Sequence, residues 1–187
     1  MTEVESLSNH FLIAMPNLAD PNFSKTVTLI CEHSREGAMG LTINRQTDLS
    51  LKDILAQLDI EAADPSHLAD SVYLGGPVQY NRGFVLHEPL GQWESTLPIT
   101  DTLGLSTSRD ILAAIAEGNG PEHYLITLGY AGWGPGQLER EMSENAWLSG
   151  PADNQIIFET AVEQRWRAAA EKLGVDLSKL SDQIGHA

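Results

Sequence analysis

A glycine-rich segment, Leu128–Glu139, has residue types and spacing that could bind a ligand. It joins an apolar run to an acidic one, and Pro135 suits the first position of a helix, so the pattern predicts a tight strand-to-helix turn. Gly129 and Gly134 have the spacing that begins a phosphate-binding P-loop, but Pro135 stands where that loop needs a lysine. A dinucleotide-binding turn would need a glycine where Gln137 stands. Two interpretations remain, a small anion bound by backbone N–H groups at the helix N-terminus or a purely structural turn.

The only cysteine, Cys31, is the second candidate for chemistry. Partly alternating polar and apolar residues predict a strand over Thr26–His33, on which His33 shares a face with Cys31. Because a thiol reacts as its thiolate, a neighbouring imidazole suggests a redox-sensing or nucleophilic cysteine. The alternative is a buried cysteine that packs as a small hydrophobic side chain.

The histidines are scattered, and none forms the helical pair that is typical of zinc sites. We therefore expect no metal and no other cofactor. His87, next to Glu88 at the end of a predicted strand, could act as an acid-base residue or be an ordinary hydrogen-bonded histidine. No serine lies in a nucleophile-elbow pattern, so we assign no catalytic residue.

Composition limits the classes of protein that fit. The chain has 187 residues, of which 42% are hydrophobic, which predicts a single domain over residues 1–187 with a polar leader at 1–9. The formal net charge is -15 and only 11 residues are Lys or Arg, which disfavours direct binding to nucleic acid or to an anionic membrane surface. No apolar run approaches the roughly 20 residues that span a bilayer, and the N-terminus lacks a signal-peptide pattern. Because a lone cysteine also fits a reducing compartment, we expect a cytoplasmic protein.

Local patterns predict an α+β fold, with several hairpins and about four helices packed on a mixed sheet. The predicted strands are His10–Met15, Thr26–His33, Ala38–Asn44, Val72–Leu74, Gly83–His87, Tyr124–Leu128 and Gln155–Phe158. The predicted helices are Leu51–Leu58 after a Ser50 cap, Thr107 to Gly118, Pro135 to about Asn145, and one from a Thr160 cap to Gly174. The fourth and fifth strands are expected to pair as a long-looped hairpin.

The order of several short motifs resembles the bacterial AlgH/YqgE family. Those motifs are Phe11–Pro16, Asp20–Phe23, Cys31–His33, Gly37–Leu41, Ile43–Arg45, Leu74–Val78, Arg82–His87, Leu128–Trp133 and Gly136–Glu139. No single motif is decisive, but their order and spacing together are specific, and the match runs from about residue 10 to the end of the chain.

This resemblance implies an α+β domain with a large mixed sheet in the bacterial cytoplasm. It implies no established reaction, because the family takes its name from a proposed role as a transcriptional regulator of alginate production. By similarity, the positions to test are Cys31, Asn44, Gly75, Gly76, Pro77, His87, Gly129, Gly132, Trp133 and Gln137.

Four functional hypotheses follow, the last of which is a protein-interaction module that acts through its exposed surface. The first is a non-enzymatic regulatory or binding protein that acts on transcription indirectly, through an unknown protein or small-molecule partner, because the charge balance opposes DNA contact. The second is a redox-sensing or nucleophilic thiol protein that uses Cys31, with His33 beside it. The third is binding of a small anion or metabolite at the Gly129–Gln137 turn.

Overall fold

A ten-stranded sheet forms the centre of the fold, and the computed structural model describes residues 6–18, 20–21 and 23–179. The strands are β1 (His10–Ala14), β2 (Val27–Ser34), β3 (Gly37–Thr42), β4 (Gln46–Ser50), β5 (Ser71–Leu74), β6 (Val78–Glu88), β7 (Thr96–Pro98), β8 (Gly104–Ser106), β9 (His123–Trp133) and β10 (Trp147–Pro151). Their order across the sheet is β10-β1-β2-β3-β9-β6-β8-β7, with β5 added beside β9 and β4 beside β5. The β5–β9 pair is parallel and the other pairs are antiparallel, so the sheet is mixed as predicted.

Short helices cover both faces of this sheet. They are α1 (Leu51–Gln57), α2 (Arg109–Ala116), α3 (Gln137–Ser143), α4 (Asn154–Phe158) and α5 (Arg165–Lys172), with 3₁₀ turns at Pro65–His67 and Val162–Gln164. None of the helices in the described part of the chain has both the length and the apolar composition needed to cross a membrane. The fold is therefore α+β, with helices packed on a mixed sheet.

Strand alternation divides the core into two layers. In β1, Phe11 and Ile13 pack into the layer beneath α4 and α5, whereas Leu12 points to the opposite layer. The opposite layer has two parts, one beneath α1 and α2 and the other beneath α3. The sheet thus carries helices on both faces.

Two local predictions are confirmed in detail. Strands β2 and β3 form the predicted hairpin, in which Ser34 pairs with Gly37 across a two-residue turn. Helix α1 begins after Ser50, whose backbone N–H donates to Asp53 Oδ2 at 2.8 Å. In both cases the signal lies within a few consecutive residues.

The predicted strand at Gln155–Phe158 is wrong, because this segment forms helix α4. A run of four residues is too short to show a period, so an apolar strand and a buried helical turn look alike in the sequence. The Asp153 side chain decides for the helix, since it accepts a hydrogen bond from the Gln155 backbone N–H at 2.9 Å. The strand in this region is β10, which pairs with β1 and was not predicted.

The predicted hairpin between β5 and β6 is also wrong. Both strands pair with β9 instead, β5 in parallel and β6 antiparallel. Strand β9 continues through Trp133, so most of the predicted glycine turn is extended backbone. Helix α3 accordingly begins at Gln137, two residues later than the predicted start at Pro135.

Candidate functional site

The glycines of the family motifs form a backbone crossing. A Cβ atom at Gly76 would lie 2.1 Å from the Tyr130 carbonyl carbon, and one at Gly75 would lie 2.4 Å from the Gly129 carbonyl oxygen. Gly129 also has a φ of +76°, which residues with side chains rarely adopt. The glycines are therefore needed where the segment that joins β5 to β6 passes directly over β9, which is a structural requirement.

The neighbouring family positions are less constrained. Pro77 is exposed just after the crossing. Gly132 is exposed as well, and an added Cβ there would meet its nearest neighbour, the Tyr130 ring, at 3.5 Å, an ordinary contact. Neither position contributes a group that points into a cavity described below.

The corner between β9 and α3 bonds mainly to itself. Gln137 Oε1 accepts from the Gly134 N–H at 3.0 Å, and Gln137 Nε2 donates to Glu141 Oε2 at 2.9 Å. Trp133 Nε1 and Trp147 Nε1 both donate to Glu141 Oε1, at 3.2 and 3.1 Å. The Gly134 donor that an anion would use is thus already occupied, and a carboxylate stands close to it. This geometry favours the structural interpretation of the turn.

Asn44 links two segments of backbone. Its Oδ1 accepts from the Val27 N–H at 3.0 Å, and its Nδ2 donates to the Lys25 carbonyl at 3.0 Å. Both ends of the amide are satisfied, so the side chain holds the start of β2 in place.

Cys31 is sealed in the core. A β-bulge between Ile30 and Glu32 leaves it as the extra residue of β2, and it is 4% exposed. Burial, together with the nearby Glu32 charge, raises the pKa of the Cys31 thiol to about 12. Its Sγ lies 3.7 Å from the Leu29 carbonyl oxygen. These surroundings favour the protonated thiol over the reactive thiolate.

His33 does not pair with this thiol. The bulge interrupts the alternation on which that expectation depended, and the imidazole turns to other partners. Its Nδ1 accepts from the Leu7 N–H at 2.9 Å, which leaves Nε2 to donate to the Glu139 carboxylate. His33 therefore ties β2 to α3, and the structure does not bring it together with Cys31.

His87 forms the middle of a buried hydrogen-bond chain. Its Nδ1–H donates to the Pro89 carbonyl at 3.0 Å, and its Nε2 accepts from the Ser106 hydroxyl at 2.7 Å. The Ser106 oxygen in turn lies 2.8 Å from the Thr96 hydroxyl. His87 is fully buried, and burial lowers its pKa although the Pro89 carbonyl acts in the opposite direction. A neutral His87 satisfies this chain completely.

The predicted site residues therefore fall into separate structural groups. Across residues 6–18, 20–21 and 23–179, no set of three or more His, Cys, Asp or Glu side chains is placed to hold a metal ion. The structure brings the glycines of the crossing together, and it joins Trp133 to Gln137 through Glu141. It leaves Cys31 and His87 apart within the core.

A different residue, Arg165 at the start of α5, has the features of a binding group. It is only 5% exposed, yet within the described ranges it forms no salt bridge. Its Nη1 donates to the Ile43 carbonyl at 2.6 Å and its Nε to the Thr160 carbonyl at 3.0 Å. The guanidinium carbon lies 5.1 Å from the centre of the Tyr73 ring. Two carbonyls and an aromatic ring thus hold the cation, and no carboxylate of the described residues pairs with it.

Arg165 lines a cavity of about 250 Å³ at the start of β5 and β9, which we call the Arg165 cavity. The other residues that line it are Asp70, Ser71, Tyr73, Tyr124, Leu125, Ile126 and Phe158. The Tyr124 hydroxyl donates to Asp70 Oδ2 at 2.5 Å. Burial and this contact with Asp70 raise the pKa of Tyr124, so the phenol stays a neutral donor. The Asp70 carboxylate is thus engaged by Tyr124 and lies near His67, while Arg165 is the cation that lines the cavity.

Sequence reasoning missed this site, although one signal was present. Arg165 stands three residues after Val162 and four before Ala169, both of which belong to the apolar stripe of the predicted last helix. An arginine on the buried stripe of a helix needs a partner or a ligand. The residues that Arg165 contacts are remote in sequence, so only the tertiary structure shows whether the protein supplies a charged partner or leaves the arginine open to a ligand.

Comparison with known proteins covers nearly the whole chain. A family model described as AlgH-like matches residues 11–178. A UPF0301 protein of Nitrosococcus oceani is 56% identical over 179 residues, which are 96% of each chain. A UPF0301 protein of Nitrosospira multiformis is 56% identical over 181 residues, 97% of each chain.

Two solved structures show a similar fold. The AlgH protein from Pseudomonas aeruginosa, known from a solution structure, is 53% identical, with a TM-score of 0.80 over 100% of both chains. A crystal structure of a protein from Corynebacterium diphtheriae has a TM-score of 0.76 over 97% of this chain and 94% of that one. At 18% identity, the second comparison concerns the fold alone. The matching family model and the identities above 50% agree with the motif pattern. The chain therefore belongs to the AlgH-like family.

Proposed function

We propose that this chain is a non-enzymatic binding protein that takes up a small anionic molecule in the Arg165 cavity and affects transcription indirectly. One observation carries the proposal: Arg165 is a buried cation that has no carboxylate partner among residues 6–18, 20–21 and 23–179, and it lines an open cavity. The third sequence hypothesis, anion binding, is thereby kept but moved from the glycine turn to the start of α5.

The energetics of Arg165 support a ligand. A guanidinium stays charged at every physiological pH, and an unpaired charge in a protein interior costs several kcal/mol. Bonds to the Ile43 and Thr160 carbonyls and the contact with Tyr73 offset part of this cost. They use Nε and Nη1, and the described part of the chain shows no hydrogen bond from Nη2. A carboxylate or phosphate bound in the cavity would supply the opposite charge.

The charge of the whole chain supports an indirect route to transcription. A formal net charge of -15, with only 11 Lys and Arg, sets up a repulsive field for DNA. The proposal places the protein in the cytoplasm, in keeping with a lone thiol that needs no oxidising compartment. Its output would pass through another protein.

Thermal unfolding in the presence of candidate anions tests the binding function. The probes are acetate, citrate and inorganic phosphate, and a ligand at a hundred times its Kd should stabilise the fold by about 2.7 kcal/mol. The variant Arg165→Lys keeps the charge but loses the planar fork, so affinity for the best probe should fall about tenfold or more. Arg167→Lys is the matched control, because Arg167 is exposed on the same helix. No stabilisation by any probe, or equal loss in both variants, would contradict the proposal.

Titration against duplex DNA at low salt tests the indirect route. We expect no tight complex, because few cations are available to release counterions from the phosphates. Tight binding with a steep dependence on salt would overturn this part of the proposal while leaving the cavity unaffected.

A further inference from the structure

We infer that the anionic group that enters the Arg165 cavity is a phosphoryl group, held by the Arg165 guanidinium and by the hydroxyls of Ser71 and Tyr73. This inference rests on the proposed function, because it names the chemical class of the ligand for the same site. Inorganic phosphate and a small phosphate monoester carry the same group, so both belong to this class.

Ser71, Tyr73 and Arg165 lie on the same side of the sheet. Side chains two positions apart on a strand point to the same face, and Ser71 and Tyr73 both belong to β5. Tyr73 packs in the core layer beneath α4 and α5. Arg165 reaches this layer from α5, and its guanidinium carbon lies 5.1 Å from the centre of the Tyr73 ring. Since all three residues line the Arg165 cavity, a cation and two hydroxyl-bearing side chains meet there.

The two hydroxyls have hydrogen atoms to donate. Ser71 Oγ accepts from Gln46 Nε2 at 3.1 Å, and it donates to no other described residue. Tyr73 is 8% exposed, and its hydroxyl forms no hydrogen bond within residues 6–18, 20–21 and 23–179. A buried tyrosine usually finds a partner for its hydroxyl. In this cavity an oxyanion is a partner that accepts from both hydroxyls and from the guanidinium.

The number of donors favours a phosphoryl group over a carboxylate. A guanidinium has five N–H groups, and bonds to the Ile43 and Thr160 carbonyls account for two of those of Arg165. The other three, together with the two hydroxyls, exceed the roughly four acceptor positions of a carboxylate. A phosphoryl group has three strongly accepting oxygens and a charge of about -1.5 to -2 near neutral pH. It therefore matches the donors of the cavity better than a carboxylate does.

Asp70, the acidic residue of the cavity lining, is directed to the other face of the sheet. Its Oδ2 accepts from the Tyr124 hydroxyl at 2.5 Å and lies 3.2 Å from His67 Nδ1. Tyr124 packs against the core layer beneath α1 and α2, opposite the layer of Tyr73. The carboxylate is thus engaged away from the donors of Ser71, Tyr73 and Arg165, which leaves their side of the cavity to an anion.

The size of the cavity limits what the phosphoryl group carries. A volume of about 250 Å³ is smaller than the roughly 300–1,000 Å³ of sites for drug-sized ligands. Free phosphate or the monoester of a small molecule therefore fits the cavity better than a whole nucleotide does.

Calorimetry on the wild-type chain compares phosphoryl probes with carboxylates at fixed ionic strength. The probes are inorganic phosphate and glycerol 3-phosphate on one side and acetate and citrate on the other. We expect the better phosphoryl probe to bind about tenfold more tightly than either carboxylate, because it gains at least one further charge-assisted hydrogen bond. Tighter binding of glycerol 3-phosphate identifies an ester as the ligand, and tighter binding of inorganic phosphate identifies the free anion.

Two variants test the hydroxyls. Tyr73→Phe keeps the ring beside the guanidinium and loses only the hydroxyl, and Ser71→Ala removes the other hydroxyl. Each should weaken binding of the better phosphoryl probe about tenfold, whereas acetate, which Arg165 alone can hold, should lose less. The matched controls are Tyr80→Phe, at a tyrosine that is 67% exposed, and Ser143→Ala, at an exposed serine of α3. Both controls should keep the wild-type affinity.

The outcomes separate this inference from the proposed function. If acetate or citrate binds as tightly as the phosphoryl probes, the phosphoryl assignment is wrong and the anion site stands. The assignment is equally wrong if Tyr73→Phe or Ser71→Ala keeps the wild-type preference for phosphoryl probes over acetate. If no anion of either kind binds, both the inference and the proposed function are overturned. Far-UV circular dichroism checks each variant, and the comparison of probes on the wild-type chain decides if a variant fails to fold.

Discussion

His87 and Arg165 are both nitrogen-bearing side chains buried against the same sheet, but their surroundings differ. His87 is fully buried, and Pro89 and Ser106 satisfy its two ring nitrogens. Arg165 is 5% exposed, bonds only to carbonyls among the described residues, and lines a cavity. The hydrogen bonds of His87 are complete without a ligand, whereas Arg165 has no opposite charge from the described part of the chain.

The difference shows how a buried polar group can be interpreted. A group with all its partners inside the protein stabilises one packing arrangement and has nothing left to offer a ligand. A rigidly held group with an unfilled requirement at an opening is preorganised for recognition. Cys31 belongs with His87, since its thiol is sealed and lies near the Leu29 carbonyl.

The largest expected effect concerns the reactivity of Cys31. With its pKa raised to about 12 by burial, its thiolate fraction near neutral pH is about a thousandfold below that of an ordinary cysteine. Alkylation by iodoacetamide should therefore be at least about a thousandfold slower in the folded protein than in denaturant, as measured by mass spectrometry over time. Rapid labelling of the folded chain would show that Cys31 is accessible and reactive, and would support the thiol hypothesis.

The next effect is the contribution of the hydrogen-bond chain through His87 to the stability of the protein. Ser106→Ala removes the hydroxyl that bonds to His87 Nε2 and lies beside the Thr96 hydroxyl, leaving a buried ring nitrogen without a partner. The free energy of unfolding should fall by about 1–3 kcal/mol in urea titrations. Thr107→Ala, at the exposed next position, should change it by no more than about 0.5 kcal/mol. Equal effects of the two substitutions would contradict the assignment of a satisfied buried chain.

The smallest effect is the pH dependence that His87 imposes. Because burial lowers its pKa in the folded state, the unfolded chain takes up a proton first as the pH falls below the unfolded value of about 6.5. Stability should therefore be lost on acidification, with a slope of up to about 1.4 kcal/mol per pH unit, until the folded pKa is reached.

Comparing the wild-type chain with a His87 variant isolates the contribution of His87 to the pH dependence of stability. The slope of unfolding free energy against pH should become shallower in His87→Asn, whose side chain does not titrate in this range. A direct NMR titration of the His87 ring in the wild-type chain gives the same information if the variant is unstable. An unchanged slope together with an ordinary ring pKa would show that His87 is less enclosed than the structure indicates.

Sequence patterns predicted those elements whose signals are local. The Ser50–Asp53 capping box, the turn between Ser34 and Gly37, and the apolar stripe through Ala169 each depend on neighbouring residues, and each is confirmed. The segment Gln155–Phe158 was misassigned because four apolar residues fit a strand and a helix equally well.

The prediction for the glycine-rich segment was wrong for a different reason. Its composition favours a turn. In the structure, however, glycine is required at positions 76 and 129 because two backbone segments pass within contact distance there. The sequence shows that glycine is present, and only the fold shows what approaches it. The same limit applies to the Cys31–His33 pair, whose expected alternation is interrupted by a bulge that forms against β3.

Composition and motif order are properties of the chain alone, so the class of the fold, the acidic character and the membership of the AlgH-like family could all be read from the residues. The tertiary structure, by contrast, shows which buried polar groups find all their hydrogen-bond and charge partners within the protein and which do not. Arg165 bonds to the carbonyl of Ile43, 122 positions away along the chain, and lines a cavity together with residues of β5 and β9. Charge, burial and hydrogen bonding at such a point depend on which segments fold together, so the cavity became visible only once the sheet had placed them side by side.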